Sequence, residues 1–344
     1  AWGGFNVTEG GGDSAEVALE LMPGNKIRKY DTWHAMGQGA TTGSLVVTLE
    51  ALKEMHLTPE DIQLIQNDTK TCPDTGMAGA SRSLYMDGNA TIIAANKLLA
   101  AMRKEDGTLR TYDEMKAEGI ETKYLGRYET NTTPGLCRLD PNTGIGDPTP
   151  AFTYCLNLAE VEVDTKTGKT TVLKFTCVDF VGRIGNIDAV NGQAYSGIMH
   201  GIGFALKEDY ADVKKHANMF GAGTSYIKDV PDDINLIHID GAISDGPFGS
   251  SGASEAFQAS GHCAVLNGIY NACGVRIHEI PALPEKVKAG LDAIAKGEKP
   301  YEPKKYFLGS DMYEELENIK ENPVQVGTQS FYVSLDDPTA ERPF

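Results

Sequence analysis

Alternating apolar and polar residues in two parts of the chain predict two β-hairpins. In the first, residues 15–21 (AEVALEL) alternate, Pro-Gly-Asn follows as a turn, and residues 26–33 return. In the second, residues 157–164 (NLAEVEVD) alternate, Thr-Lys-Thr-Gly forms the turn, and residues 169–180 return. Short alternating runs bounded by turn residues are typical of antiparallel strands that are neighbours in sequence.

Each predicted hairpin is followed by a Gly-Gln pair and then by a predicted helix. Gly37-Gln38-Gly39 precedes residues 41–55, and Gly192-Gln193 precedes residues 194–209, where apolar residues recur at spacings of three and four. A sheet needs a helix layer to cover one of its faces. The sequence therefore predicts an α+β fold with two related two-layer α/β subdomains, each a β-hairpin–Gly-Gln–helix unit. Chance pairing of common motifs is the alternative.

Composition shifts along the chain give the predicted domain boundaries. The first subdomain covers residues 1–147 and includes an excursion, 105–147, that is rich in Gly, Pro, Thr and charge, with a short helix at 112–118. The second subdomain covers residues 148–297 and carries one glutamate, Glu255, in a loop of small residues. Residues 298–344 are proline-rich and charged, which is typical of an extended arm.

Charge and cysteine usage exclude several classes of function. With 48 acidic and 31 basic residues the net charge is −17, and no basic cluster is present, so nucleic acid is a poor partner. No apolar run is long enough to span a membrane. The 6 cysteines form no C-x-x-C pair or metal-ligand spacing, so no residue is predicted to ligate a metal, and they indicate reduced thiols of a cytoplasmic protein.

The N-terminal sequence AWGGFNVTEGGGD has neither an initial methionine nor the charged and apolar regions of a signal peptide. It resembles the interior of a protein. We therefore expect a processed product, a split subunit or part of a longer chain.

The stretch GSSGASEAF places Glu255 among small residues, directly before a predicted helix at residues 256–272. Small residues allow a backbone to approach a ligand closely, and helix N-termini favour anionic groups. Two interpretations stay open from these residues alone: a stabilising charge in the first helical turn, or a base held against a bound molecule.

The segment Gly37-Gln38-Gly39 exposes backbone N–H groups and one amide, which suits a phosphate or a heterocycle. Glycine turns before helices are common, so this segment alone is a weak signal. Gln193 in the second Gly-Gln pair strengthens it.

A second candidate loop, PDTGMAGASRSLYMDGNA, offers Ser81, Arg82 and Ser83 near a helix start, where they could receive a phosphate or serve as capping and turn residues. His34 and His200 could be ligands or acid–base groups, although lone histidines on apolar faces are more often satisfied core residues. No G-x-S-x-G elbow or strand–G-x-G-x-x-G–helix unit is present.

Four segments together resemble the molybdenum-binding region of the xanthine dehydrogenase/aldehyde oxidase family, with most similarity to its bacterial aldehyde oxidoreductase branch. They are DTWHAMGQGATTGSLVVTLEAL, CPDTGMAGASRSLYMDGNA, GQAYSGIMHGIGFAL and SSGASEAFQASGHCAVLNGIYNACGVRIHEIPALPEKV. The resemblance runs in order from residue 1 to about residue 290. It implies the C-terminal half of a molybdopterin-binding region.

The family resemblance also implies a cofactor, molybdopterin cytosine dinucleotide with Mo, and roles for individual residues. It places Gln38 close to the metal, Gln193 on the pterin, and Glu255 as the general base that takes a proton from a Mo–OH group while hydride passes to a sulfido ligand. The cofactor-binding residues predicted from the loops and the resemblance are Gly37, Gln38, Gly39, Ser81, Arg82, Ser83, Gln193, Ala253 and Ser254. The loop reads G-A-S-E here, where many relatives have glycine directly before the glutamate.

The implied reaction is oxidation of an aldehyde to a carboxylic acid with oxygen from water. The implied partners are an N-terminal half or large molybdopterin subunit and an iron–sulfur subunit or domain that carries the [2Fe–2S] clusters, with a flavin subunit as an optional further partner. The alternatives are hydroxylation of an N-heterocycle of purine or nicotinate type, a subunit that only clamps the cofactor, and an unrelated hydrolase that uses two carboxylates.

Overall fold

In the computed structural model, which describes residues 13–66, 68–130, 146, 151–243 and 245–298, strands and helices alternate in two successive groups. The strands are β1 (Ser14–Met22), β2 (Lys26–Asp31), β3 (Ile62–Gln66), β4 (Lys123–Glu129), β5 (Tyr154–Val163), β6 (Thr170–Phe180) and β7 (Asp233–His238). The helices are α1 (Ala40–Ala51), α2 (Ser83–Met102), α3 (Tyr112–Ala117), α4 (Ile187–Leu206), α5 (Ser254–Gln258), α6 (Gly261–Cys273) and α7 (Pro284–Ala295). The predicted α+β class is confirmed.

The first sheet has the strand order β3–β2–β1–β4. β1 is antiparallel to β2 and β4, whereas β3 lies parallel to β2 after a crossover through α1. α2 packs across β1 and β4 on the inner face, where Val17, Leu19 and Leu21 are fully buried. The turn of the hairpin depends on Gly24, whose φ of 76° lies in the left-handed region. The first predicted hairpin is confirmed.

The second sheet repeats the scheme with the order β5–β6–β7. β5 and β6 form an antiparallel hairpin, and β7 lies parallel to β6 after a crossover through α4. α6 packs on β5, and the inner face buries Phe175 and Cys177 beneath α4. The relationship predicted between the two hairpin–helix units therefore extends to a parallel third strand and a second helix in each half.

Several predicted helix boundaries are wrong. The helix predicted over 41–55 ends at Ala51, and two larger errors lie in the second half. α4 begins at Ile187 rather than at residue 194, so Gly192-Gln193 lies inside the helix instead of preceding it. The helix starts earlier because the Asn186 side chain accepts a hydrogen bond from the backbone N–H of Ala189. The single helix predicted over 256–272 is divided into α5 and α6, and the hydroxyl of Ser260 at the break accepts a 2.9 Å hydrogen bond from Asn157.

The predicted excursion at 105–147 contains the expected short helix, α3, which begins at a capping box of Thr111 and Glu114. It also contains β4, which sequence reasoning missed and which forms one edge of the first sheet. The rest of the excursion except residue 146, and the predicted arm beyond residue 298, lie outside the described residues. The boundaries of the two subdomains stay predictions. In the described part of the chain, no helix has the length and hydropathy that a membrane span requires.

The outer faces of the two sheets, opposite the helices, differ in chemistry. On the first sheet Arg127 bonds Glu16 at 2.7 Å, and Tyr30 donates to Glu20 at 2.5 Å. On the second sheet the outward residues at one end of β5, β6 and β7 are apolar. We call this set the apolar face; it consists of Tyr154, Leu156, Leu158, Val178, Phe180, Ile237 and Ile239.

Candidate active site

A cavity of about 600 Å³ lies between the two halves of the molecule. Its walls come from the loop before α1, the start of α2, the start of α4 and the loop that leads into α5. These segments lie at equivalent places in the two halves, after the second and the third strand of each unit. The candidate residues that line the cavity are Gln38, Gly39, Ser81, Ser83, Gln193, Ala253, Ser254 and Glu255.

Glu255 lies in the first turn of α5, with its side chain exposed on the cavity wall. The hydroxyl of Ser81 donates to Glu255 Oε2 at 3.2 Å and accepts from the Glu255 backbone N–H at 3.1 Å. One serine of the first half therefore orients the carboxylate of the second half. Oε1 makes no hydrogen bond to any described residue and is available to a bound molecule.

Close packing between two loops explains why residue 252, three positions before Glu255, is a glycine. A Cβ atom at Gly252 would lie 1.6 Å from the carbonyl oxygen of Ser81, so only glycine fits at this point. Ser81 itself has a φ of 54°, and the preceding Ala80 has 52°, values that cost non-glycine residues energy. Gly252 thus allows close approach of the other half of the protein; it also lines the cavity, and the expectation that small residues there admit a ligand stays a prediction.

Arg82 points away from the cavity. Its guanidinium is buried, pairs with Asp13, and also donates to the carbonyl oxygens of Met77 at 2.5 Å and Ser14 at 3.0 Å. Gly76 allows this arrangement, because a Cβ there would be 2.8 Å from the guanidinium. The prediction that Arg82 receives a phosphate is wrong in this geometry; the side chain holds the loop that carries Ser81.

The two predicted glutamines differ in their partners. The Gln38 amide is bonded within its own loop, donating to the carbonyl of His34 at 2.5 Å and accepting from the N–H of Met36 at 2.6 Å. Gly37 does not line the cavity, and its φ of 107° serves the loop turn. Gln193 lines the cavity from α4, and its amide makes no hydrogen bond to the described residues. Gln193 is therefore the freer of the two to bind a ligand.

Arg183 is a cavity residue that sequence reasoning missed. It lies between β6 and α4 and is the one lysine or arginine among the described residues that line the cavity. Its backbone is fixed, because its N–H donates to the carbonyl of Gly249 at 2.9 Å and its carbonyl accepts from Ser250 at 2.7 Å. Its guanidinium makes no hydrogen bond to the described residues. The available signal was its position just before the helix cap Asn186.

A buried charge cluster supports the wall that contains Trp33. The backbone N–H of Trp33 donates to Asp31 Oδ1 at 3.3 Å. Lys29 Nζ lies 3.4 Å from Asp31 Oδ2 and 2.7 Å from Asp87 Oδ1, and all three side chains are fully buried. Burial raises the pKa of Asp87 to about 6 although Lys29 opposes the shift. The cluster fixes the start of the loop that carries Gln38.

A second buried group supports α4. His238 Nδ1 lies 2.7 Å from Asp179 Oδ2, and Nε2 lies 2.8 Å from the Asn191 side-chain oxygen. Asn191 precedes Gln193 by half a helical turn, so this group holds the part of α4 that presents Gln193. Burial raises the pKa of Asp179, and the nearby His238 opposes that shift.

The candidate histidines do not contribute to the cavity. His34 and His200 are both exposed, and neither lines it. His200 lies on α4 with Nδ1 2.8 Å from the side-chain oxygen of Gln258.

The chemistry of the cavity wall suits a phosphorylated heterocycle. The cavity wall offers hydroxyls, the free amide of Gln193 and one guanidinium, which are groups that bind phosphates and ring nitrogens. None of the lining residues is a histidine or a cysteine, the side chains that most often ligate a transition metal. Two carboxylates line the cavity, Glu255 and the Lys53-paired Glu50.

Comparisons with known proteins show the family of this chain. Residues 2–231 match the family model of the molybdopterin cofactor-binding domain. The chain is 41% identical over 283 residues to the aldehyde oxidoreductase of Megalodesulfovibrio gigas, covering 82% of this chain and 31% of that protein. It is 28% identical to a probable hypoxanthine oxidase, XdhD, of Escherichia coli K12, covering 76% of this chain and 29% of that protein.

Among solved structures, the aldehyde oxidoreductase from Desulfovibrio desulfuricans matches with a TM-score of 0.79 and 43% identity, over 84% of this chain and 31% of that one. The chain thus spans about a third of the length of these relatives.

Proposed function

Because the chain belongs to the molybdopterin cofactor-binding domain family of the molybdenum hydroxylases, we propose that it supplies one wall of the cofactor site of an aldehyde-oxidising enzyme, with Glu255 as its general base. The observation that supports this proposal most is the placement of Glu255. Its carboxylate lies on the same cavity as Gln193, Ser83 and Arg183, and a neighbouring serine orients it.

When bound, the molybdenum cofactor supplies the two-electron redox chemistry and the oxygen-transfer centre of such an enzyme. The proposed holding residues are those with free polar groups on the cavity. Gln193 would bond the pterin, and Ser83 and Arg183 would bond phosphate oxygens. A dinucleotide form with cytosine is the proposed cofactor.

The proposed role of Glu255 is to accept a proton at Oε1 while Ser81 holds Oε2. A general base must be within hydrogen-bond reach of the proton it removes, and its orientation must be fixed. Ser81 fixes the orientation through two hydrogen bonds of 3.2 and 3.1 Å. A charge that served only the first turn of α5 would not require this contact from the other half of the chain.

We propose aldehydes as the substrate class because the relatives at 41% and 43% identity are aldehyde oxidoreductases, whereas the hypoxanthine oxidase is 28% identical. Oxidation of an N-heterocycle is the alternative. Electrons would leave to [2Fe–2S] clusters on another domain or chain, and the remaining molybdopterin-binding half would complete the substrate pocket.

The test is Glu255→Gln in the complete enzyme, with Glu50→Gln as a matched control. Glu50, on α1, also lines the cavity, but its carboxylate pairs at 3.0 Å with Lys53 just beyond the end of that helix. Glutamine keeps the size of the side chain and cannot accept a proton at neutral pH. We expect Glu255→Gln to lower the turnover of an aldehyde about 10²–10⁴-fold with the molybdenum content unchanged. The control should keep normal turnover.

Turnover above about a tenth of the wild-type rate, with normal metal content, would contradict the role of Glu255 as base. It would instead favour a subunit that only holds the cofactor. A native, active preparation without molybdenum would overturn the proposal as a whole.

A further inference from the structure

The second sheet exposes an apolar surface that the described residues leave uncovered. On the apolar face, the side chains of Tyr154, Leu156 and Leu158 in the edge strand β5 are 61%, 63% and 57% exposed. Ile237 in β7, at the opposite edge, is 44% exposed. The rings of Tyr154 and Phe180 pair across the strands at 6.3 Å. These residues form one continuous surface, since Leu156 pairs with Val178 and Val178 with Ile237.

A single exposed leucine needs no explanation, but a continuous apolar face on a strand edge does. Such patches on soluble proteins mark interaction sites and would otherwise promote aggregation. The first sheet shows what a water-facing surface looks like in this fold. Its outer face carries ion pairs, such as Arg127 with Glu16, and a cation–π contact in which Lys123 lies 3.6 Å from the Tyr30 ring centroid.

The apolar face is linked to the cavity through the end of β6. Phe180 of the apolar face is the last residue of β6, and the residues that follow it, Val181 and Arg183, line the cavity. At the other end of the sheet β5 carries exposed Glu160 and Glu162, so the apolar surface stops there. A partner that covers the apolar face therefore reaches the cavity rim at Arg183.

Chain length indicates what covers this face. The chain matches about a third of each relative, so most of the relatives' length has no counterpart here. We propose that the apolar face docks the remaining molybdopterin-binding part of the enzyme, through an apolar surface without charged side chains opposite Leu156 and Ile237. This inference rests on the proposed function, and it assigns that partner to the side of the cavity next to Arg183.

The experiment compares two leucines on edge strands in the enzyme as isolated from its host. Leu156 lies on the apolar face, and Leu125 lies on β4, the edge strand of the first sheet, where it is 44% exposed among charged residues. Each is replaced by cysteine, and the rate of maleimide labelling is read by peptide mass spectrometry. We expect Leu156→Cys to react at least ~10-fold more slowly than Leu125→Cys in the native enzyme, and equally fast after denaturation, since docking excludes solvent from the face.

A photocrosslinking residue, p-benzoylphenylalanine, in place of Leu156 then identifies the neighbour. Crosslinks to a polypeptide segment outside residues 1–344 support the proposal. Crosslinks to a second copy of this chain or to residues 299–344 overturn it, as do equal native labelling rates at positions 156 and 125. If either variant at position 156 fails to assemble, Ile237→Cys gives the same comparison.

Molybdenum content separates this inference from the proposed function. A molybdenum-loaded enzyme in which the Leu156→Cys and Leu125→Cys variants label equally fast refutes the docking surface alone. A protected Leu156→Cys in an enzyme that never contains molybdenum refutes the proposed function, and the docking surface stands.

Discussion

Each half of the molecule contains the sequence Gly-Ala-Ser after its third strand. The residue that follows this sequence is buried in the first half and exposed on the cavity in the second half. Gly-Ala-Ser precedes Arg82, just before α2, in the first half and Glu255, in the first turn of α5, in the second; both segments follow the third strand of their unit. Arg82 is buried and holds its own loop through Asp13, whereas Glu255 is exposed on the cavity. The same three residues thus precede a structural charge in one half and, in the other half, the carboxylate that we propose as the general base.

The largest effect should come from Arg82. We expect Arg82→Met to destabilise the enzyme by about 3–5 kcal/mol, because the change leaves Asp13 and several carbonyl groups without their partner. Arg183→Met is the matched control, since that arginine is exposed on the cavity; its effect on stability should stay within about 0.5 kcal/mol while cofactor retention falls. Thermal unfolding and molybdenum content are measured for both. Equal stability of the two variants would contradict the comparison.

An intermediate effect is expected where the two loops meet. The Cβ atom of Gly252→Ala would lie 1.6 Å from the Ser81 carbonyl, so the loops must separate and the hydrogen bonds to Glu255 break. Overpacking of this kind costs about 1–3 kcal/mol. Aldehyde turnover should fall more than the melting temperature suggests, because the base loses its orientation. Gly192→Ala on α4, where a Cβ meets nothing within 4 Å, is the control. It should leave turnover unchanged and raise stability by about 0.5–1 kcal/mol, since alanine is favoured over glycine inside a helix.

The smallest effect concerns the dependence of stability on pH. Asp87 has a folded-state pKa of about 6, above its ordinary value of 3.8, so the folded protein binds an extra proton between these two pH values. This group therefore lowers stability as the pH rises from about 4 to 6. Asp87→Asn mimics the protonated form and should remove that part of the slope in melting temperature. The observation that would contradict this is an identical slope for wild type and variant from pH 4.5 to 7.

The elements that could be predicted from the sequence are those that depend on local residue patterns. Both hairpins, the helix after each, and the loops that carry Ser81 and Glu255 follow from alternation, spacing and turn residues. It missed β4 because residues 123–129 lie in a stretch dominated by Gly, Thr and charge, and their strand pairing is set by the distant β1. Tertiary pairing outweighs local composition at such an edge.

The site residues divide in the same way. Cavity residues such as Ser83, at the start of α2, and Gln193, inside α4, could be named from motifs. The direction in which a side chain points could not be predicted, because it depends on residues far along the chain. Arg82 is buried because it pairs with Asp13, and Arg183 reaches the cavity because it follows the end of β6. Gln193 was expected before a helix and lies within one, since the cap at Asn186 is what starts α4.

The bond between Ser81 and Glu255 joins positions 174 residues apart, and this separation sets the order of events during synthesis. Chains emerge from the ribosome at about 5–20 residues per second, so Glu255 is synthesised roughly ten seconds or more after Ser81. Contacts that close so long a loop form late in folding, because the entropy of closure must be overcome first. We expect the carboxylate to find its position only after both halves have folded. A ribosome-stalled chain that ends before residue 255 should have the first sheet protected in hydrogen exchange and no formed cofactor cavity, so that activity becomes the last property the molecule acquires.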